Sequence, residues 1–252
     1  MRKRHPLDSG IRQIPTNRDV VREMSVGSES ELATSHRIAA SLKVDILAGK
    51  YPPGVRIRQE DIAEQFGASR SPVREALRML EADGLVNLVA HTGAWISQLS
   101  LAECEEMYQI RERIEPLLLR LSIPHLTKAK IDQLADLANQ MEKNKEIEVF
   151  LKLDREFHLL SYAGADTALL GDMVSRLWNT TQHYRRAYTR LLAADGFKPA
   201  HYEHHLLVTA ILKHDLDDAE RILYGHIRRT RLELAQHPGV FPTQNGGSKG
   251  HL

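Results

Sequence analysis

Residues Gln59–Gly84 read QEDIAEQFGASRSPVREALRMLEADG, and the rest of the chain is organised around this stretch. Ile62, Ala63 and Phe66 recur at three- and four-residue spacing and stop at Gly67, after which the pattern resumes as Val73, Ala76, Leu77 and Leu80. Two short amphipathic helices joined by a tight turn produce that pattern. Gly67 supplies the positive φ that ends the first helix. Ser71-Pro72 offers the second an N-cap and then a proline at the first helical position, where its missing N–H does no harm. Arg70 falls in the turn, while Arg74 and Arg78 follow at four-residue steps on the face opposite Val73, Leu77 and Leu80. One face is core and the other basic, the pattern of a helix-turn-helix.

Upstream, Ile38, Leu42, Ile46 and Leu47 place a helix over Ser35–Ala48 that ends before Gly49. Tyr51-Pro52-Pro53-Gly54 forces a turn, and Val55-Arg56-Ile57 extends briefly. Downstream, Leu85–Val89 and Ala94–Ser97 are β-prone runs on either side of Ala90-His91-Thr92-Gly93, a hairpin with a glycine-containing tip. Such a hairpin is the wing of a winged helix. Met1–Ser30 is polar and without periodicity, so residues 1–30 are expected to be a mobile arm; Arg2, Lys3 and Arg4 offer phosphate contacts if the arm is more than a plain tail.

Composition bounds the class. The chain has 252 residues, 42% of them hydrophobic, enough to build a core. No apolar signal core follows Met1-Arg2-Lys3-Arg4-His5 and no run reaches the length of a membrane span, so a cytoplasmic protein without membrane contact is expected. Cys104 is the only cysteine and cannot form an internal disulfide. A net charge of +1 neither marks nor excludes a nucleic-acid binder. Arg and Lys between Gly27 and Gln98 are nearly balanced by Asp and Glu, so DNA binding must be argued from geometry.

Residues 32–97 resemble the DNA-binding domain of the GntR family of bacterial regulators. The likeness is carried by Ile46, Gly49, Pro52-Pro53-Gly54, Ile57, Glu60, Ile62-Ala63, the run from Gly67 to Leu77, Leu80 and Gly84-Leu85. It implies a winged helix-turn-helix domain over 31–98. It implies that Arg70 and Arg74 enter the major groove, where an arginine satisfies guanine O6 and N7 together. Ser69 and Ser71 would contact phosphates, and His91 and Thr92 would set the wing beside the minor groove. Some relatives carry an arginine where this chain has Glu60, and Arg58 is then the nearest substitute. The other reading of Arg74 and Arg78 is a solvated helix face, which the winged pattern disfavours more for Arg74 than for Arg78.

From Ser100 the pattern becomes long and helical. Ser100-Leu101-Ala102-Glu103 is a capping box opening a helix through Ile110, Ile114, Leu117 and Leu121, with a kink expected at Pro116. Further helices are read over Thr127–Asn144, Glu146–Tyr162, Thr167–Leu192, Pro199–His214 and Leu216–Gln236. Residues 99–236 thus form an antiparallel all-α bundle, and 237–252 a disordered tail. Trp95 and Trp178 read as core residues. The fold class is mainly α, a winged helix-turn-helix followed by a helical bundle.

Asp154 and His158 stand four apart and project from one helix face, at metal-ligand spacing. His204 shares its helical phase with Leu207 and Ile211, and His226 falls one turn beyond Ile222 and Leu223, so both imidazoles can point inward. An Asp with three neutral imidazoles suits a divalent ion, zinc first, with nickel or manganese as alternatives. With 13 histidines in the chain, a D-x3-H pair is also an ordinary helical interaction, and His201, His205 and His214 compete for the same role. Residues 100–236 resemble the FCD ligand-binding domain of the FadR-type subfamily. The matches are Arg111–Glu115, Asp154–His158, Glu203-His204 and Ala219–His226; Asp166 stands where the family usually has asparagine. That resemblance implies a divalent metal on Asp154, His158, His204 and His226.

It also implies a small organic acid as effector, for which Arg111 offers a planar fork; the other reading of Arg111 is a helix-surface ion pair with Glu115 at i+4. Tyr184 and Arg185 are further pocket candidates. The function expected is a metabolite-responsive transcriptional regulator, a repressor by family habit, acting as a homodimer on palindromic double-stranded DNA. A purely structural metal is one alternative. A metal-dependent hydrolase is the other, although no HExxH or GxSxG motif and no general base accompanies the ligands.

Overall fold

In a computed structural model, residues 17–90, 92–192 and 198–242 are described. The first unit begins with α1 (Asn17–Leu47), followed by β1 (Arg56–Ile57), α2 (Gln59–Phe66), α3 (Arg70–Ala82), β2 (Val86–Val89) and β3 (Gly93–Ile96). Antiparallel pairing in the order β1-β3-β2 makes the hairpin a three-stranded wing, with Arg56 opposite Trp95 and Ile57 opposite Ala94. Ile38, Leu42 and Ile46 of α1 meet Val73, Ala76, Leu77 and Leu80 of α3 in one buried cluster, closed by Ile57, Ile62, Val86 and Ile96. The apolar periodicity of Gln59–Gly84 therefore faces inward as read.

Two boundaries differ from the sequence reading. Helix α1 starts at Asn17 rather than Ser35, so the proposed arm splits: residues 17–30 are helical, and residues 1–16 lie outside the described residues. A helix already nucleated by the buried stripe from Ile38 onward extends at little cost through a polar segment without proline. Ser69, not Ser71, is the N-cap of α3, which puts Pro72 at the third helical position, where it is buried. The first helical N–H groups all lack an intrahelical acceptor, so a proline there forfeits no bond. Gly67 takes φ +57 and ends α2 as expected.

The second unit comprises α4 (Leu101–Ser122), α5 (Lys128–Lys143), α6 (Ile147–Ser161), α7 (Leu170–Thr180), α8 (Gln182–Leu192), α9 (Lys198–Leu212) and α10 (Leu216–Ala235). Helix α10 lies along α4, α5 against α6 and α9, and α6 against α8. The Ser100–Glu103 capping box is formed in both directions, and α4 runs unbroken through Pro116. Trp178 is in the core, whereas Trp95 is half-buried on the wing with its indole N–H 3.3 Å from Thr92 Oγ1.

The single helix expected over Thr167–Leu192 is broken at Thr181. The hydroxyls of Thr180 and Thr181 each donate to the carbonyl four residues back, at 3.0 and 2.7 Å, and such back-bonding bends a helix. The supposed tail also starts later than 237. Pro238–Val240 form a 3-10 turn and Phe241 is buried, its ring stacked on Tyr184 at 4.9 Å, because an aromatic side chain at that point can still cover the bundle end. Residues 243–252 lie outside the described residues.

Candidate DNA-binding face and metal centre

Ser69, Arg70, Ser71 and Arg74 line the exposed start and outer face of α3. Between α3 and the wing runs a cleft lined by Arg56, Arg58, Arg74, Arg78 and Thr92. Four arginines converge there, although the domain's charges nearly cancel. Three of the acids are engaged elsewhere, Asp83 with Lys43 at 2.7 Å, Asp45 with Lys50 at 2.6 Å and Glu81 with the Leu88 N–H at 2.8 Å, whereas Glu60 lines the same cleft and Glu75 pairs with Arg78 at 3.2 Å. Arg56 was missed by sequence reasoning because it sits in a two-residue strand; its pairing opposite Trp95 turns it onto the wing's groove side. Glu60 lies 3.3 Å from Arg70, so the departure from the arginine of some relatives acts on the first residue of α3. His91 lies outside the described residues.

In the bundle, Asp154 and His158 project from α6, His204 from α9 and His226 from α10, and one donor atom from each lies within 4.8 Å of all the others. His158 Nε2 and His204 Nε2 are 3.4 Å apart; Asp154 Oδ1 is 3.6 Å from the first and 3.3 Å from the second. Two ligands each about 2.1 Å from one ion at a tetrahedral angle stand about 3.4 Å apart. The three measured separations match that edge, so the residues fit a divalent ion. His201, His205 and His214 are not part of this group; His205 instead meets Glu142 at 3.1 Å.

Electrostatics keep Asp154, His158 and His204 in ligand form. Burial disfavours a charged imidazole, which holds His158 and His204 below their ordinary value. Burial also opposes ionisation of Asp154, but the His204 hydrogen bond and the Arg185 charge outweigh it and hold the carboxyl well below the usual carboxylate range. Nearby, burial pushes His183 down to about 4, with Arg186 adding to the effect. A folded-state value below the unfolded 6.5 means the unfolded chain takes up the proton first as pH falls. Stability from these imidazoles is therefore present above about pH 6.5 and lost on descent toward pH 4. In chelator, the melting temperature is expected to fall across that window, and by less in His183→Gln; a flat profile would contradict the burial argument.

Beside the donors is a cavity of about 40 Å³, walled by Phe150, Trp178, Ala200 and Ile227, with Arg111, Arg185, Tyr108 and Thr230 at its polar edge. Arg185 stacks on Trp178, its guanidinium carbon 3.7 Å from the ring centroid. Its Nη2 is 3.3 Å from Asp154 Oδ2, an ion pair outside hydrogen-bond geometry, so both terminal nitrogens keep buried N–H groups without an acceptor. Arg111 is buried, so its pair with Glu115 is not on the helix surface. It lines the cavity, and it is ion-paired through Nε with Glu115 while Nη1 donates to Thr181 Oγ1 at 3.0 Å. Tyr184 is not in the cavity: its hydroxyl donates to the Leu99 carbonyl at 2.9 Å and accepts from the Leu99 N–H at 2.6 Å, fastening the interdomain linker.

Sequence reasoning also missed Glu115 as a hub. Fully buried, it accepts from Arg111, from Tyr162 at 2.7 Å and from the Trp178 indole at 3.0 Å. The helix that carries Trp178, α7, also holds the end of α3. Arg176 donates to the Ala82 carbonyl at 2.8 Å and Asn179 to that of Asp83 at 3.0 Å, the Thr180 hydroxyl shares its one hydrogen between the Arg176 carbonyl and that of Gly84 at 3.1 Å, and Arg155 donates to Asn179 Oδ1 at 2.6 Å. Gly84 has φ +75, and a Cβ there would stand 2.5 Å from Thr180 Oγ1; only glycine admits this approach.

Comparison with known proteins agrees with both halves. Residues 34–96 match the model for bacterial regulatory proteins of the gntR family, and residues 106–229 match the FCD domain. The transcriptional repressor RspR of Escherichia coli K12 is 26% identical over 208 residues, covering 80% of this chain and 89% of RspR. The chain is a gntR-family transcriptional regulator with an FCD domain. YdhC of Bacillus subtilis, an uncharacterised regulator, is 34% identical over 123 residues, 47% of this chain and 55% of YdhC. The structure of E. coli McbR/YncC superposes with a TM-score of 0.71 at 21% identity, covering 81% of this chain and 98% of that one, a likeness of fold. This regulator accordingly binds DNA and is not an enzyme, and members of its family usually act as dimers. Among its described residues no helix is long and apolar enough to cross a membrane.

Proposed function

We propose that this regulator is a repressor that binds a palindromic operator as a homodimer, and that a small carboxylate held beside a divalent metal ion sets its operator affinity. The observation that carries the reading is the juxtaposition of a convergent donor set, Asp154, His158, His204 and His226, with the acceptor-less N–H groups of Arg185. Buried donors without acceptors are costly, and a carboxylate satisfies two at once. When bound, the ion supplies a fixed positive charge that attracts the acid; zinc suits three imidazoles and one carboxylate. Arg185 receives the carboxylate and Trp178 holds Arg185 in plane, while Arg111, already committed to Glu115 and Thr181, supports the wall. The cavity has room for about three water-sized groups, which favours an acid of few heavy atoms.

Three features support the rest. Ile110, Leu117 and Leu121 form an exposed apolar stripe on α4 fit for a second copy. Arg58, Ser69, Arg70, Ser71, Arg74, His91 and Thr92 remain the proposed DNA contacts, joined by Arg56. The α7 contacts give the cavity a short route to the end of α3.

The test is operator binding by fluorescence anisotropy, with metal-free and zinc-loaded protein titrated with a panel of two- to four-carbon carboxylates. An effective acid is expected to change operator affinity by about 5- to 150-fold, in zinc-loaded protein alone, and to do nothing in His204→Ala. An acid response that survives in His204→Ala would leave the metal a structural role and place the effector elsewhere.

A further inference from the structure

The three imidazoles are not held alike. His158 Nδ1 and His204 Nδ1 are buried with no hydrogen-bond partner, and their rings are fixed by packing: Phe157 stands edge-on to His204 with centroids 4.8 Å apart, and Trp178 lies 5.1 Å from His158. His226 is the solvent-side ligand, its side chain 16% exposed against 2% and 1% for the other two. Packing alone leaves such a ring free to turn outward. Its Nδ1, however, lies 2.7 Å from Glu203 Oε2, and the other oxygen of Glu203 is ion-paired with Arg229. Glu203 stands on α9 directly before His204, while His226 and Arg229 are three apart on α10. Which nitrogen a histidine offers to a metal is set by the hydrogen bond made at its other nitrogen.

We propose that Glu203 is the positioning residue of the metal centre: it accepts the His226 Nδ1–H, fixes the tautomer and ring plane that present Nε2 to the ion, and is itself held in place by Arg229. This rests on the metal reading given above. Glu203 touches neither ion nor effector and acts through His226. It also ties the α9 ligand to the α10 ligand, because the backbone carrying His204 carries the acceptor that orients His226.

The experiment measures zinc affinity of the full-length protein by competition with a chromophoric chelator, for wild type, Glu203→Ala, Glu203→Gln and Arg229→Ala. Glu203→Ala is expected to weaken zinc binding about 10- to 100-fold. Glu203→Gln, which retains an acceptor oxygen, recovers part of the loss, and Arg229→Ala loses less than Glu203→Ala. As a second readout, the nitrogen-15 spectrum of the metal-free protein reports His226 as the Nδ1–H tautomer in wild type and as a mixture in Glu203→Ala. If Glu203→Ala does not fold, the Glu203→Gln affinity and spectrum decide. Wild-type zinc affinity in Glu203→Ala, or an unchanged His226 tautomer, overturns the proposal while leaving the metal reading intact. A wild-type chain that binds no zinc overturns both.

Discussion

Glu115→Ala is expected to cost the helical domain about 3–5 kcal/mol of stability. The carboxylate is fully buried and closes three donors, Arg111 Nε, Tyr162 Oη and Trp178 Nε1. Burial alone would disfavour the Arg111 charge; the adjacent Glu115 carboxylate more than offsets this and keeps the guanidinium firmly protonated. Truncation therefore leaves an uncompensated buried cation and two orphaned donors. Glu115→Gln keeps an acceptor and loses the charge, so its loss is smaller than that of the alanine variant. Urea titration followed by helical circular dichroism makes the comparison. A change below about 1 kcal/mol in Glu115→Ala would show that water or repacking replaces the carboxylate, and the hub would lose its importance.

The second large effect concerns DNA. Arg74→Ala is expected to weaken operator binding by about 1–3 kcal/mol per half-site, roughly 5- to 150-fold, and to relax preference at one base position in each half. Arg56→Ala, on the wing side of the cleft, is expected to weaken operator and unrelated DNA alike and to reduce the salt slope by about one. Anisotropy titrations at several salt concentrations, with operator and scrambled duplexes, separate the two. Equal losses on both duplexes for Arg74→Ala would make Arg74 a phosphate contact and move sequence reading to Arg70. The Glu60 carboxylate, 3.3 Å from Arg70, gives that residue a preset orientation.

Much of this molecule is written locally. Gly67, the Pro52-Pro53-Gly54 turn and the Ser100–Glu103 capping box each fix backbone over a few residues, and each appears where the sequence places it. The candidate donor pair on α6 was legible for the same reason, since i and i+4 on a helix share a face. Interactions across distant elements were not. Glu203 adjoins one candidate ligand yet lies against the imidazole of another, His226, 23 positions away, and no local pattern records that. Arg111 and Glu115 read as a surface or pocket pair because Tyr162 and Trp178, which complete the hub, come from the residue after α6 and from α7. Tyr184 was sent to the wrong place by its neighbour: Arg185 faces the cavity, and adjacent helical residues point about 100° apart. The break at Thr181 depended on hydroxyls choosing backbone carbonyls, a choice that Thr-Thr permits without requiring.

The grip of α7 on the recognition helix has an evolutionary consequence. Arg176, Asn179 and Thr180 all end on main-chain carbonyls, those of Ala82, Asp83 and Gly84. A carbonyl is the same whatever side chain it accompanies. The base-reading residues of α3 are therefore free to diversify without disturbing the joint, provided a glycine remains at 84. One sensor domain can in this way inherit new target genes, or a reader acquire a new sensor, by exchange at a seam whose chemistry both partners already share.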